Sequence, residues 1–119
     1  MTVVHFANDL MLVGKVSAWC KKKDVSYTNA SNADKFQNAL QSLTEVDVGQ
    51  RVVLVDLQVK SLDASATLDA VRSIDAAIPV YGYAQHVMVQ IIQQAKDAGF
   101  DRVLTRGQFD HGFADLIQN

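Results

Sequence analysis

The sequence predicts an α/β fold of the (βα)5 type. In this fold a parallel five-stranded sheet with the order 2-1-3-4-5 lies between three helices on one face and two on the other. Five strand patterns alternate with five segments of helical periodicity, which is typical of a parallel sheet covered on both faces. The connections are short and the third strand is the most apolar, as that order requires of a central strand. We expect a single domain over residues 1–119.

The first half of the chain contains two strand–helix units. Thr2–Phe6 is predicted as a strand and Leu10–Lys22 as a helix, while the half-polar Val25–Thr28 suits a strand at a sheet edge. Ser31, with Asp34 three residues later, is predicted to cap the second helix. The apolar faces of the two helices consist of Leu12, Val16, Trp19 and Cys20, and of Phe36, Ala39, Leu40 and Leu43.

The second half begins with the central strand. A polar turn at Val48–Gln50 leads to Val52–Val55, a continuous apolar run that suits a strand covered on both faces. Ile78–Tyr83 and Arg102–Thr105 are the last two strands, and Gly99 is predicted to end the fourth helix. The last three helices are marked by Ala64, Leu68, Val71 and Ile74, by Val87, Ile91, Ile92 and Ala95, and by Phe109, Phe113, Leu116 and Ile117.

Composition and charge exclude several classes of protein. A net charge of −2 provides no basic field for nucleic acid, and Lys21–Lys23 complements the dipole of the helix that it ends. No apolar run approaches the ~20 residues of a membrane helix. Cys20, the only cysteine, excludes an internal disulfide, and Met1–Phe6 lacks the layout of a signal peptide. We expect a cytoplasmic protein that binds neither nucleic acid nor membrane.

Polar residues follow several of the predicted strands. Functional residues of open α/β sheets gather at the carboxyl ends of the strands, and here Asn8 and Asp9 follow the first strand and Asp56 ends the third. Residues 84–86 and 106–107 follow the fourth and fifth. Two carboxylates meeting at this edge would suit Mg2+. Both aspartates would equally suit helix caps or turns, and the pattern alone leaves the two interpretations open.

The histidines give no clear catalytic pattern. His86 follows the fourth strand, and together with Asp9 and Asp56 it would suit Zn2+ or Mn2+, although such a histidine is more often an ordinary surface residue. We expect His5 to be a packed or hydrogen-bonded core residue and His111 to face solvent. The chain has no glycine-rich phosphate loop and no serine-elbow motif, so we expect no enzyme activity.

Three segments resemble the receiver domain of bacterial response regulators. Val53–Leu57 resembles the strand that carries the phospho-accepting aspartate, and Ile78–Val80 resembles the start of the fourth strand. Ala95–Asp101 resembles the passage to the strand that carries the invariant lysine. The resemblance covers the whole chain and implies a flavodoxin-like receiver fold. It also implies that Asp56 is the phospho-acceptor and that Asp9 and Asp56 hold Mg2+.

Several positions of the implied pocket depart from the family pattern. In the family pattern the pocket has an acidic pair, a hydroxyl residue, a lysine followed by a proline, and an aromatic switch residue. Here Asn8 replaces one acid, Ala84 the hydroxyl residue and Arg106 the lysine. Gly107 replaces the proline and Val103 the aromatic residue. The loss of one carboxylate weakens Mg2+ binding, and without a hydroxyl and an aromatic residue the usual readout of phosphorylation cannot operate. The resemblance thus implies a degenerate receiver, or pseudo-receiver. We expect Arg106 to bridge to Asp56 and partly replace Mg2+.

The resemblance leads us to expect a stand-alone signalling module that acts through protein–protein interaction. Its partner would be a histidine kinase or a downstream signalling protein, and a homodimer is also open. By analogy, the docking face comprises the fourth helix, the fifth strand and the fifth helix, with Gln90, Gln94, Asp97, Arg102 and Gln108 exposed. Two alternatives remain: a competent receiver of a two-component phosphorelay, phosphorylated on Asp56, and a flavodoxin-like protein that binds a small ligand.

Overall fold

The computed structural model describes residues 1–45 and 50–118, so Val48 and Gly49 of the predicted turn lie outside the described residues. The strands are β1 (Thr2–Phe6), β2 (Ser26–Ala30), β3 (Arg51–Asp56), β4 (Val80–Ala84) and β5 (Arg102–Thr105). The helices are α1 (Leu10–Lys22), α2 (Ala33–Glu45), α3 (Ala64–Arg72), α4 (Val89–Ala98) and α5 (Arg106–Gln118). All neighbouring strands are parallel and their order is β2-β1-β3-β4-β5, which confirms the predicted fold class.

The sheet separates two hydrophobic cores. On one side α2, α3 and α4 cover the sheet, and we call this side the α2–α4 face. On the other side α1 and α5 cover it, and we call this side the α1/α5 face. Because side chains alternate along a strand, Val53 and Val55 of β3 enter the first core while Val52 and Leu54 enter the second. Three helices on one face and two on the other match the prediction.

The ends of several elements differ from the prediction. Asn32, not Ser31, caps α2, because its side-chain oxygen accepts a 2.9 Å hydrogen bond from the amide of Lys35. Val87 is not part of the apolar side of α4: it precedes the helix and is 65% exposed. Gly99 does end α4, with the left-handed φ of 108° that its missing side chain makes favourable. The ends of helices are decided by single hydrogen bonds and contacts, and these cannot be predicted from the periodicity of apolar residues.

A glycine inside β4 marks a close approach of side chains. A Cβ atom at Gly82 would lie 3.0 Å from Phe100 Cδ2 and 3.1 Å from Leu57 Cδ1. These residues pack in the core of the α2–α4 face, so Gly82 makes room for them rather than for a ligand. Within the described part of the chain, no helix has the length and apolar character needed to cross a membrane.

Candidate functional site

The candidate site lies where β1, β3, β4 and β5 end. Asp9 is the N-cap of α1, with extended backbone dihedrals, and Asp56 is the last residue of β3. Ala84 ends β4, and Arg106 is the first residue of α5. Parallel strands bring these four positions to one edge of the sheet, as the sequence predicts. Asn8, next to Asp9, is exposed.

Asp9 is held by three backbone and side-chain donors. Its Oδ1 accepts hydrogen bonds from the amides of Met11, at 2.9 Å, and Leu12, at 3.2 Å. Its Oδ2 forms an ion pair with the guanidinium of Arg106. Partial burial alone would raise the pKa of Asp9, but the hydrogen bonds from Arg106, Leu12 and Met11 and the charge of Arg106 outweigh it, so the pKa is lowered. Asp9 is therefore a stable carboxylate with both oxygens occupied.

Asp56 has a different environment, although it lies at the same edge. Its side chain is buried, and its Oδ1 accepts a 2.9 Å hydrogen bond from the amide of Gln58. Burial raises the pKa of Asp56 and the neighbouring charge of Asp9 adds to the rise, while the Gln58 amide and the charge of Arg106 oppose it. The prediction that Arg106 bridges to Asp56 is wrong, because the guanidinium pairs with Asp9 and affects Asp56 only through its charge. Asp9 is the more exposed carboxylate and better placed for the start of α5.

The pocket around these charges lacks the residues expected for a phosphorylation switch. Ala84 is buried and has no hydroxyl, and Val103 is half-buried on β5. The hydroxyl nearest along the chain to Arg106 belongs to Thr105, but it accepts a 3.2 Å hydrogen bond from the amide of Gln108. In return Gln108 Oε1 accepts from the amide of Thr105 at 2.9 Å. This capping box fixes the start of α5, and the T-x-x-Q spacing was the signal that could have predicted it.

A divalent cation at this edge would compete with Arg106. Mg2+ binds carboxylate oxygens, and both oxygens of Asp9 already accept hydrogen bonds. The three-ligand set with His86, which the sequence left open as the less favoured interpretation, does not form. Over residues 1–45 and 50–118, no three histidine, cysteine, aspartate or glutamate side chains are close enough together to hold a metal ion. His86 is exposed and lines a depression of about 560 Å3 together with Gln85, Val87, Thr105, Arg106 and Gly107.

A side-chain bridge connects two loops beside Asp56. The Oε1 atom of Gln58 accepts a 2.7 Å hydrogen bond from the amide of Gln85, which follows β4. Since the amide of Gln58 binds Asp56, one residue connects the end of β3 to the loop after β4. Nothing in the sequence pattern indicates this bridge, because a glutamine side chain can serve many partners.

Beneath the pocket lies a hydrogen-bonded group of aromatic residues. His5 is completely buried in β1, as predicted for a core residue, and its two ring nitrogens lie 2.7 Å from the Tyr27 hydroxyl and 2.8 Å from the Tyr83 hydroxyl. Burial lowers the pKa of His5 to about 4 despite the opposing charge of Asp9. His5 is therefore neutral at physiological pH. His111, by contrast, is exposed, as predicted.

Exposed apolar side chains surround the same edge. Leu10 and Met11 begin α1, while Val87 and Val89 lie at the start of α4, and all four are between 65% and 85% exposed. They are the large apolar side chains with such exposure among the described residues. Arg106 connects the two groups, because it pairs with the residue before Leu10 and lines the same depression as Val87.

Several solved structures share this fold. Full-length FixJ from B. japonicum aligns with 98% of this chain, with a TM-score of 0.75 and 17% identity. The alignment covers 55% of FixJ, so this chain spans about half the length of that protein. CheY4 of Vibrio cholerae aligns over 98% of this chain and 95% of its own, with a TM-score of 0.73 and 15% identity. The receiver domain of Saccharomyces cerevisiae Ssk1, solved with the histidine phosphotransfer protein Ypd1, covers 99% of this chain and 86% of its own, with a TM-score of 0.73 and 15% identity.

Sequence comparison adds no closer relative. No protein-family model matches the chain, and no curated protein sequence matches it. At these identities the structural likeness establishes the fold, and the chain has the receiver-domain fold of two-component response regulators.

Proposed function

We propose that this chain is a stand-alone receiver-like signalling module that acts through protein–protein interaction, without the standard aspartate phosphorylation switch and without enzymatic activity. It would work in the cytoplasm as a pseudo-receiver. The observation that carries the proposal is the ion pair between Arg106 and Asp9. The pair supports the proposal because the guanidinium is a permanent cation bound to a carboxylate that the resemblance implies for Mg2+.

The ion pair disfavours Mg2+ for two reasons. The first is occupancy: Arg106 uses Oδ2 of Asp9, and the start of α1 uses Oδ1. The second is charge, because Asn8 contributes no carboxylate and the guanidinium neutralises one of the two that remain. A metal ion would have to displace Arg106 before it could bind Asp9 and Asp56 together.

The pocket also offers little response to a phosphoryl group. A ligand shifts a conformational equilibrium only when it makes different contacts in the two states. The buried methyl group of Ala84 can donate no hydrogen bond to a phosphoryl oxygen, and Val103 carries no aromatic ring that could change position. Charge added at Asp56 would have no hydroxyl to attract at the end of β4.

Exposed apolar residues support an interaction role. Exposed apolar patches on a protein surface mark protein–protein contacts, and the carboxyl edge has two exposed apolar pairs, Leu10 with Met11 and Val87 with Val89. The residues of the α4–β5–α5 face named from the sequence are exposed too, but they are polar or charged. We therefore propose the carboxyl edge as the principal docking surface. The Ypd1 complex of Ssk1 is an example of a receiver domain bound to a partner protein.

A competent receiver is the second candidate, and one observation favours it. Asp56 ends β3 with Asp9 near enough to raise its pKa, so two carboxylates do lie at this edge. If Arg106 can swing away from Asp9, both would become available to Mg2+, and Asp56 could then accept a phosphoryl group. The two candidates differ in their response to metal and phosphodonor.

Amide NMR spectra distinguish the candidates. We expect the wild-type protein to show no saturable Mg2+ binding and no Asp56-dependent shifts after treatment with acetyl phosphate and Mg2+. The matched positive control is the variant Asn8→Asp/Ala84→Thr/Arg106→Lys, which restores the residues implied by the family pattern. It should bind Mg2+ and give phosphodonor-dependent shifts that Asp56→Asn abolishes. Wild-type shifts that need Asp56 and spread to Val103 and α4 would replace the first candidate with the second.

A further inference from the structure

Three polar aromatic side chains form a continuous hydrogen-bonded row inside the α1/α5 face. Tyr83 of β4 is almost fully buried and its hydroxyl lies 2.8 Å from Nε2 of His5. Nδ1 of His5 lies 2.7 Å from the hydroxyl of Tyr27, which is half-buried on the edge strand β2. The row crosses the sheet from β4 to β2.

The positions of the hydrogens follow from burial. Neutral His5 has one N–H donor and one acceptor nitrogen, so one tyrosine must donate to it and the other must accept. In the described part of the chain, the buried Tyr83 hydroxyl has His5 as its hydrogen-bond partner and no other. If it accepted from His5, its own O–H would be left buried without an acceptor, which is costly. The half-buried Tyr27 hydroxyl can instead direct its hydrogen to water.

The order of donation is therefore fixed. Tyr83 donates to Nε2 of His5, His5 carries its hydrogen on Nδ1 and donates to Tyr27, and Tyr27 donates to solvent. Each donor in such a chain is strengthened when the next acceptor is engaged. Reversing one bond requires reversing the others.

The inner end of the row lies against the charged pocket. Tyr83 is the register partner of Asp56 in the neighbouring strand, and the charges of Asp56, Asp9 and Arg106 all act on its hydroxyl. Its ring stacks on Phe109 of α5, with centroids 3.9 Å apart. Phe109 lies one helical turn after Arg106, so the tyrosine contacts the same helix that supplies the pocket's cation.

We propose that Tyr83, His5 and Tyr27 form a directed hydrogen-bond path that transmits a change of charge in the pocket to the β2 edge of the sheet. The path takes the place of the hydroxyl–aromatic readout that Ala84 and Val103 cannot provide. It rests on the proposed function and extends it: the change of charge comes from a partner bound at the carboxyl edge beside Arg106, and not from phosphorylation of Asp56. A change at Asp56 or Arg106 alters the field on the Tyr83 O–H, and His5 passes the altered polarisation to Tyr27.

The first test is the tautomer of His5 in the full chain. Nitrogen-15 NMR near neutral pH should show a pyrrole-type Nδ1 and a pyridine-type Nε2. A pyrrole-type Nε2, or a histidinium, would overturn the direction of the path. This result does not depend on whether the pocket binds Mg2+, so its failure and that of the proposed function are distinguishable.

The second test is transmission. Asp56→Asn removes the pocket charge and should shift the His5 nitrogen and Tyr27 ring resonances by more than a line width. Asp63→Asn is the matched control, because Asp63 caps α3 away from the row, and it should leave those resonances unchanged. In the Tyr83→Phe background the effect of Asp56→Asn on Tyr27 should disappear. Equal shifts with and without the Tyr83 hydroxyl would show that the field acts through space, and the path would be rejected.

Discussion

The two faces of the sheet are covered in similar ways but contain different chemistry. The α2–α4 face has a large apolar core, in which Phe6 and Phe36 stack with ring centroids 4.6 Å apart. The α1/α5 face contains the hydrogen-bonded His5, Tyr27 and Tyr83 beside its apolar residues. The packing of the first face is therefore mainly apolar, whereas the second face also has hydrogen bonds between side chains of different strands.

The charged residues of the candidate site belong to the second face. Asp9 begins α1 and Arg106 begins α5, the two helices of that face. Side chains alternate along β3, so Asp56 points to the same side as Leu54, which packs in the core of the α1/α5 face. The α2–α4 face acts as a scaffold, whereas the α1/α5 face combines packing with charge. The buried titratable residues His5, Asp56 and Tyr83 lie on the α1/α5 face, so the pH dependence of stability should come mainly from that face.

The largest effect should come from the scaffold. Phe36→Ala removes a ring that is 2% exposed, and the lost apolar contacts and the cavity should lower the free energy of unfolding by about 3–5 kcal/mol. Urea unfolding of the wild type and the variant measures this loss of unfolding free energy. Because no titratable side chain belongs to that core as described, the loss should be the same at neutral and mildly acidic pH. A loss that changes with pH would break the contrast between the faces.

The second effect is the pH dependence due to His5. Its pKa in the folded protein is about 4, against 6.5 for an unperturbed histidine, so the unfolded chain binds the proton more tightly. Neutral His5 therefore stabilises the folded protein fully above pH 6.5, and this stabilisation is lost as the pH falls towards 4. The complete loss is about 3 kcal/mol, from about 1.4 kcal/mol per pKa unit. Unfolding curves at neutral pH and near pH ~4.5 should show most of it.

Comparison with a variant isolates this contribution. Asp56, with a raised pKa, stabilises the fold as the pH falls, whereas Asp9, with a lowered pKa, loses its stabilisation in the acidic range. Both contributions remain in His5→Gln, so the difference between the two proteins reports His5. The free energy of unfolding of His5→Gln should be lower at neutral pH, and it should change less as the pH falls. Parallel curves for both proteins would mean that His5 titrates normally.

Much of the fold could be predicted because it depends on patterns that repeat. The apolar run Val52–Val55 indicated a central strand, and β1, α1 and β5 begin and end where the sequence predicted. Such patterns do not predict which single hydrogen bonds form. Asn32 rather than Ser31 caps α2 because only the structure shows which oxygen reaches the amide of Lys35.

The site was predictable in its location but not in its pairing. The carboxyl-edge rule and the family resemblance together brought Asp9, Asp56 and Arg106 to one edge. The choice of Asp9 over Asp56 as the partner of Arg106 depends on the positions of the side chains in the folded protein, which the spacing of these residues in the sequence does not reveal. The sequence did not predict the hydrogen bonds of His5 either, because Tyr27 and Tyr83 come close to His5 only when the strands are arranged in the sheet.

Arg106→Gln should have the smallest effect on the free energy of unfolding, but the clearest effect on the titration of Asp9 and on Mg2+ binding. The side chains of Arg106 and Asp9 are 35% and 24% exposed, and ion pairs of this exposure contribute less than about 1 kcal/mol. Without the guanidinium the pKa of Asp9 should rise towards its ordinary value, and Mg2+ should find a free carboxylate oxygen. Carbon NMR titration of Asp9 and amide shifts with added Mg2+ measure the two changes. Arg102→Gln, on the exposed surface of β5, is the matched control and should alter neither. An unchanged Asp9 titration in Arg106→Gln would mean that the pair does not hold in solution, and the case against metal binding would then rest on Asn8 alone.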